Sequence, residues 1–258
     1  DFSHQRKVKS YEVESEWYLN WSSRCNETCR VPKCFAIESF ENEVLIVLED
    51  LNETQFCEAR VEVNPIEIQA CLTWLAGFHA RFMKEEPINL WEQGTYWHLN
   101  TRPDELAKML DSPLKENAIL IDKKLYQSSF KTIIHGDAKL ANFCFTKDGY
   151  STAAVDFQYV GGGCGMKDVV YFLGSCLTEE ECAKRVPFYL DYYFKTLAQK
   201  LDNDKYSFKD IENEWRELFP FAWADFHRFL KGWSPSHWKI NDYSEKITRE
   251  VVESFQLK

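Results

Sequence analysis

Three oxygen-bearing side chains, Asp137, Asn142 and Asp156, are spaced so that one local fold could bring them together. The first two lie in Ile133-Ile134-His135-Gly136-Asp137-Ala138-Lys139-Leu140-Ala141-Asn142-Phe143, the third in Val155-Asp156-Phe157. Between them, Phe143-Cys144-Phe145 and Thr152 to Phe157 flank Lys147-Asp148-Gly149, and Asp-Gly between two apolar runs is a strong hairpin signal. A turn centred between Asp148 and Gly149 makes opposed residue numbers sum to about 297. Asn142 then lies opposite Val155, beside Asp156, with Cβ atoms on the order of 5–8 Å apart. Asp137 stands on the loop entering the hairpin. Hard oxygen ligands at one loop end suit Mg²⁺ with nucleotide phosphates. A carboxylate left free of metal can take a proton from a hydroxyl.

The elements that must hold these groups are legible in outline. Residues 11–22 have helical periodicity, with Val13, Trp17 and Trp21 on one face and Glu12 and Glu16 on another; Val31-Pro32 breaks the run. Cys34 to Phe40 and Val44 to Leu48 read as two strands around the polar turn Glu41-Asn42-Glu43. A second helix starts with Asn64 as N-cap, Pro65 at the first position and Glu67 at the third. Its stripe of Cys71, Trp74/Leu75, Phe78 and Phe82 ends near Lys84, before Pro87. His79, beside that stripe, reads as a packed or capping histidine. Residues 130–157 are short strands. Helix resumes at Val169, followed by helices over about 179–201, kinked or split by Pro187, 208–231 and 243–256. A part-β segment followed by a helical body with an inserted hairpin is an α+β pattern.

Composition excludes several classes. The chain has 258 residues, 45% of them hydrophobic, with 19 Phe, 12 Tyr and 9 Trp, so it can bury a core and is not disordered. Its net charge of -10 opposes a nucleic acid as main partner. The apolar run Val44 to Leu48 is far short of the ~18 residues a membrane span needs. Nine scattered cysteines, an odd count, read as reduced thiols of a cytoplasmic protein. The alternative is a metal cluster at Cys25, Cys29 and Cys34, whose spacing has no second CxxC or His pair beside it. With no secretory leader in the sequence, the sequons at Asn20, Asn26 and Asn52 read as chance matches.

The spacing H-x-D-x-x-x-x-N, then a hairpin and D-F, is that of a phosphotransferase catalytic loop. With Gly136 after His135, it resembles the aminoglycoside phosphotransferase and choline kinase branch of the protein-kinase-like fold. Lys9-Ser10-Tyr11-Glu12-Val13-Glu14, Leu48-Glu49-Asp50-Leu51, Phe78-His79-Ala80 and Val155 to Gly163 look like the ecdysteroid-kinase-like, or CHK kinase-like, members. So does the tail Gly232-Trp233-Ser234-Pro235-Ser236-His237-Trp238-Lys239. The resemblance implies an ATP-dependent small-molecule kinase phosphorylating an alcohol on a metabolite or lipid-like acceptor. In it Asp137 is the catalytic base, Asn142 and Asp156 hold Mg²⁺ on the phosphates, and Lys139 neutralises charge on the transferred group. Glu49 and Leu51 fall on the hinge that meets adenine. Glu14 matches the helix glutamate that pairs with a phosphate-binding lysine. His135 fixes the loop by hydrogen bonds, and Asp168 anchors the loop's backbone from the start of a helix. The implied organisation is residues 1–55 as the rear of an N-lobe with the hinge, and 56–258 as the C-lobe.

The chain departs from that pattern at its start. Only 13 residues precede Glu14, none reads as a Gly-rich loop, and the first glycine is Gly77. The expectation is a truncated chain whose phosphate clamp lies upstream of Asp1. The alternative is a catalytically impaired pseudokinase or binding module. Other readings stay beside the chemical ones: a solvated acidic face for Glu14, a surface lysine for Lys139, and core packing for Trp215, Trp223, Trp233 and Trp238, a subset of which could line an acceptor pocket. Gly161-Gly162-Gly163-Cys164-Gly165 does not fit G-x-G-x-x-G and reads as a flexible or tightly turned segment.

Overall fold

The computed structural model describes residues 2–40 and 43–256. It begins with helix α1 (Phe2–Glu16), which continues as a π-helical turn over Trp17–Trp21 and a 3₁₀ turn over Ser22–Arg24. The helix starts earlier than its amphipathic stripe, but the stripe faces inward as expected: Val13, Trp17 and Trp21 are buried. Strands β1 (Cys34–Ser39) and β2 (Val44–Leu48) pair antiparallel, with Ser39 opposite Val44. Of the expected turn between them, Glu41 and Asn42 lie outside the described residues; Glu43 accepts a bond on its carbonyl from Phe40 N at 2.8 Å.

Helix α2 (Pro65–Arg81) shows how local chemistry fixes a boundary. Asn64 Oδ1 accepts from the amides of Ile66 and Glu67 at 2.8 and 3.1 Å, and Glu67 Oε2 accepts from Asn64 N at 2.9 Å. This reciprocal box satisfies amides that would otherwise be orphaned at the helix start. Three short helices follow where the sequence pattern predicts none: α3 (Pro103–Lys108), α4 (Pro113–Glu116) and α5 (Ala118–Tyr126). Each of α3 and α4 has proline at its first turn, and both are too short for a 3.6-residue period to show.

The remaining strands are short. β5 (Phe143–Phe145) and β6 (Thr152–Ala154) form the hairpin, and Phe143 pairs with Ala154, Cys144 with Ala153 and Phe145 with Thr152. Every pair sums to 297, as the Asp148-Gly149 turn requires. β3 (Glu58–Ala59) adds to the other edge of β5. β4 (Thr132–Ile134) pairs with β7 (Gly161–Gly163). This corrects the reading of the triglycine as a flexible or turned segment: it is a buried strand whose hydrogens are needed sterically. A Cβ on Gly161 would sit 2.2 Å from the Trp91 carbonyl, and one on Gly162 2.7 Å from that of Glu92. Glycine here permits close backbone approach, not motion.

The helical body comprises α6 (Met166–Cys176), α7 (Glu179–Lys200), α8 (Phe208–Trp233) and α9 (Asp242–Gln256). α7 is not split at Pro187, and α8 likewise continues through Pro220. Each helix buries a face that offsets one missing backbone bond. α2 packs against α7, and α8 against α5, α6 and α9. One apolar cluster runs from Val13 and Trp17 through Phe78, Phe143 and Phe157 to Val252. Among the described residues no helix is long and apolar enough to cross a membrane. The nine cysteines are free thiols. Among the described residues no three His, Cys, Asp or Glu side chains gather as a metal site, so the Cys25, Cys29, Cys34 cluster is not formed. The Cys34 thiol lies 3.7 Å from the carbonyl of Ala36 instead.

Candidate active site

The loop after β4 is held by a carboxylate from another element. Asp168, in the first turn of α6 and fully buried, accepts from His135 N at 2.6 Å and from Gly136 N at 2.9 Å. His79 Nε2 lies 3.1 Å from Asp168 Oδ2, and His79 Nδ1 lies 2.7 Å from the Tyr193 hydroxyl. With Asp168 as acceptor, His79 donates from Nε2, and its Nδ1 faces the Tyr193 hydroxyl. So three helices, α2, α6 and α7, fix one loop, as the anchoring reading of Asp168 expects. Gly136 has φ +80° and its missing Cβ would lie 2.0 Å from Tyr159 O, so only glycine fits between His135 and Asp137.

His135 is the internal brace. Its Nε2 lies 3.0 Å from the Val155 carbonyl, and its Nδ1 accepts from Asp137 N at 3.2 Å. The ladder of the hairpin continues one step past β5 and β6: Val155 N donates to Asn142 O at 3.0 Å. Asn142 and Asp156 therefore leave the same end of the hairpin. Asp137 is 5% exposed. Its Oδ2 accepts from Lys139 Nζ at 2.7 Å and from Asn142 Nδ2 at 3.1 Å, while Asn142 Nδ2 also reaches Asp137 O at 2.8 Å. With the amide nitrogen committed to Asp137, the Asn142 oxygen is the group available to a cation. Asp137 Oδ1 and Asp156 Oδ1 are both buried without a hydrogen-bond partner. Burial pushes the Asp137 carboxyl up, Lys139 pulls it down, and the nearby Asp156 charge adds to the rise.

Asp156 itself has φ +67°, a left-handed backbone uncommon for non-glycine residues, though Asp is among those that adopt it. Phe157, the next residue, is fully buried. Its ring stacks on Trp17 at 4.5 Å and 14° and lies 4.6 Å from the His135 ring. Its amide donates to Glu14 Oε1 at 3.2 Å. Glu14 thus meets the Asp156-Phe157 turn and, among the described residues, no lysine or arginine pairs with it. Burial, then the Asp156 charge, pushes its carboxyl up to about 7, partly offset by the Phe157 amide and Gln158.

Glu49 and Leu51 lie one layer away. Glu49 Oε2 is held at 2.5 Å by Arg30 Nη2 and at 3.0 Å by Lys33 N. That grip pulls the Glu49 carboxyl down, with the Arg30 bond the main cause. Leu51 packs with Phe56 and Ala153, and Cys144 and Val155 cover that cluster, so the end of β2 is tied to the hairpin.

A cleft of about 480 Å³ opens beside the loop. Asp137, Lys139 and Asp156 line it, opposite Tyr96, Tyr171, Phe226, Trp233 and Lys239. Tyr96, Tyr171 and Phe226 are wall residues that sequence reading did not single out; Trp233 and Lys239 lie in the run from Gly232 to Lys239, which carried a signal. Of the four tryptophans considered, Trp215 and Trp223 are buried in the core, and Trp233 reaches the cleft. Trp238 flanks it from a smaller neighbouring cavity.

Three solved structures share this arrangement of elements. Amicoumacin kinase hAmiN, solved in complex with AMP-PNP, Ca²⁺ and Ami, aligns at TM-score 0.56 and 12% identity, over 98% of this chain and 77% of that one. A putative aminoglycoside phosphotransferase from Ralstonia eutropha aligns at TM-score 0.54 and 14% identity, over 98% and 82%. Aminoglycoside-3'-phosphotransferase of type VIII aligns at TM-score 0.50 and 15% identity, over 83% and 81%. The fold is therefore α+β and protein-kinase-like, of the aminoglycoside phosphotransferase type. No curated protein matches the sequence. The model of family DUF1679, described as "Uncharacterized oxidoreductase dhs-27", matches residues 104–252, a span that takes in the catalytic-type loop, the hairpin and α6 to α8. The chain belongs to the DUF1679 family.

Proposed function

We propose that this protein is an ATP-dependent small-molecule kinase that transfers a phosphoryl group to an alcohol, within the ecdysteroid-kinase-like branch. The observation that carries the reading is the pair of orphaned oxygens, Asp137 Oδ1 and Asp156 Oδ1, buried at one loop end beside the Asn142 amide. A buried acceptor without a partner is costly and is expected where a ligand completes it. One carboxylate and one amide oxygen suit Mg²⁺, which takes few protein ligands and fills its shell with water and substrate phosphates. In this reading Asn142 and Asp156 hold the ion, which when bound neutralises charge on the phosphates. Asp137 Oδ1 accepts the acceptor's hydroxyl proton while Lys139 and Asn142 fix the rotation of its carboxylate. The upward pull of burial on Asp137 makes it a better proton acceptor than a solvated carboxylate. Lys139 then stands ready to offset charge on the transferred group. The Glu49–Leu51 segment would meet adenine, with residues 1–55 acting as N-lobe and hinge and 56–258 as C-lobe. The oxidoreductase wording of the family description is not matched by a Rossmann-type dinucleotide motif: every strand pair of the sheets among the described residues is antiparallel, and no G-x-G-x-x-G occurs.

The test is turnover of Mg-ATP with a panel of hydroxylated acceptors. Asp137→Asn is expected to lower the rate by roughly 10²–10⁴-fold with the fold intact; an unchanged rate sinks the assignment. The unpaired Glu14 favours a second reading, a pseudokinase or binding module. Calorimetry separates the two: a protein that takes up no Mg-ATP is the module.

A further inference from the structure

Lys239 is the unexplained charge of the cleft. Its ammonium lies 5.2 Å from the ring centre of Tyr171, 5.3 Å from Phe226 and 5.5 Å from Trp238. Its backbone is pinned: Lys239 N donates to His237 Nδ1 at 3.2 Å, and Ser244 Oγ donates to Lys239 O at 3.0 Å. Other lysines nearby have carboxylates. Lys139 pairs with Asp137 at 2.7 Å and Lys231 with Glu245 at 2.5 Å. Among the described residues no carboxylate lies in ion-pair contact with Lys239. Burial pulls its pKa down to about 8, with the nearby Asp137 charge resisting, so the side chain still carries its charge at neutral pH. A half-buried cation flanked by ring faces and without an ion-pair partner is incompletely compensated. The carboxylates that line the cleft, Asp137 and Asp156, are already engaged by the proposed chemistry. A cationic acceptor would meet Lys239 with nothing to offset it, and a neutral one would leave it unpaired.

We propose that the cleft takes an anionic, ring-bearing acceptor, whose carboxylate or sulfonate-like group binds Lys239 while its ring lies against Tyr171, Phe226 and Trp233. The inference rests on the kinase reading for the engagement of Asp137 and Asp156 and for the placement of the acceptor's hydroxyl at Asp137.

The test reads binding, not transfer. The probes are anilinonaphthalene sulfonate, an anionic aromatic dye, and the neutral dye N-phenylnaphthylamine, titrated by fluorescence against the full chain. Lys239→Met is expected to weaken the sulfonate dye by about tenfold or more, the size of one charged contact, and to leave the neutral dye unchanged. Lys231→Met, outside the cleft, leaves both unchanged. On the unaltered protein, 4-(hydroxymethyl)benzoic acid displaces the sulfonate dye and its methyl ester does not, which keeps the test open if the Lys239 variant fails to fold. Equal sulfonate-dye affinity in the folded Lys239 variant, parallel loss of both dyes, no dye binding at all, or displacement by the ester overturns the proposal. So does a weakened Mg-ATP affinity in Lys239→Met with acid binding intact, which would make Lys239 a nucleotide contact. Acid binding that depends on Lys239 in a protein that phosphorylates no acceptor of the hydroxylated panel would sink the kinase reading and leave the acid site standing.

Discussion

Asp168 carries more of the site's geometry than its distance from the cleft suggests. Two backbone amides, His135 N and Gly136 N, and the His79 ring all spend their hydrogen bonds on one fully buried carboxylate. Asp168→Ala is expected to destabilise the protein by on the order of 3 kcal/mol, because two buried amides lose their acceptor together. Urea denaturation checks it. An Asp168→Ala protein of unaltered stability would mean that the loop finds other partners. By contrast, Lys139 is more than a third exposed, and its contact with Asp137 is worth reading as orientation more than as stability.

At the scale of elements, the packing of α8 on α9 contains a titratable seam. His227 on α8 is buried, and its Nδ1 lies 2.7 Å from Thr248 Oγ1 on α9. Glu245 Oε1 stands 3.6 Å from Nε2, a geometry that would favour the charged ring. Burial outweighs it and pulls the His227 pKa down to about 4. The contact is therefore not an ion pair at neutral pH. The sign follows from linkage. Below about 6.5 the unfolded chain binds a proton that the folded chain refuses until about 4, so stability present above 6.5 is lost as pH falls through that window. Between pH 7.5 and 4.5, His227→Gln is expected to lose less stability than the unaltered protein, by on the order of 1–3 kcal/mol. Identical pH dependence in the two proteins, measured by urea midpoints, would contradict this.

Across the whole molecule, the helix at the start of the chain is not an appendage. Trp17 is fully buried, stacks on Phe157, and lies 5.6 and 5.8 Å from the rings of Phe78 and Phe82 on and just beyond α2. The same core packs Phe157 on one side of Asp156, and His135 Nε2 meets the Val155 carbonyl on the other. Trp17→Ala is expected to cost about 3–5 kcal/mol. Because the core is continuous, urea unfolding followed by far-UV circular dichroism and by tryptophan fluorescence should trace one coincident transition in the unaltered protein. Two separated transitions would show that residues 1–55 unfold independently of the rest.

The hairpin and its register, the capped start of α2 and the convergence of Asp137, Asn142 and Asp156 were all legible in the residues. Each is decided by chemistry within a few positions: an Asp-Gly turn, a capping box, a period of two. The triglycine strand was not legible, because its reason is the carbonyls of Trp91 and Glu92, some 70 residues earlier in the chain. Nor were the short helices α3 to α5, which hold too few residues to show a period. The cleft's far wall is the sharpest case. Tyr96, Tyr171 and Phe226 are scattered over about half the chain and carry no shared spacing. Local sequence determined the end of the site that holds Asp137, Asn142 and Asp156, because those groups sit on one loop and one hairpin. Only the tertiary packing of the α2–β4 connection, α6, α8 and the segment after it decided what faces that end, because side chains from separate elements meet only once the core has closed.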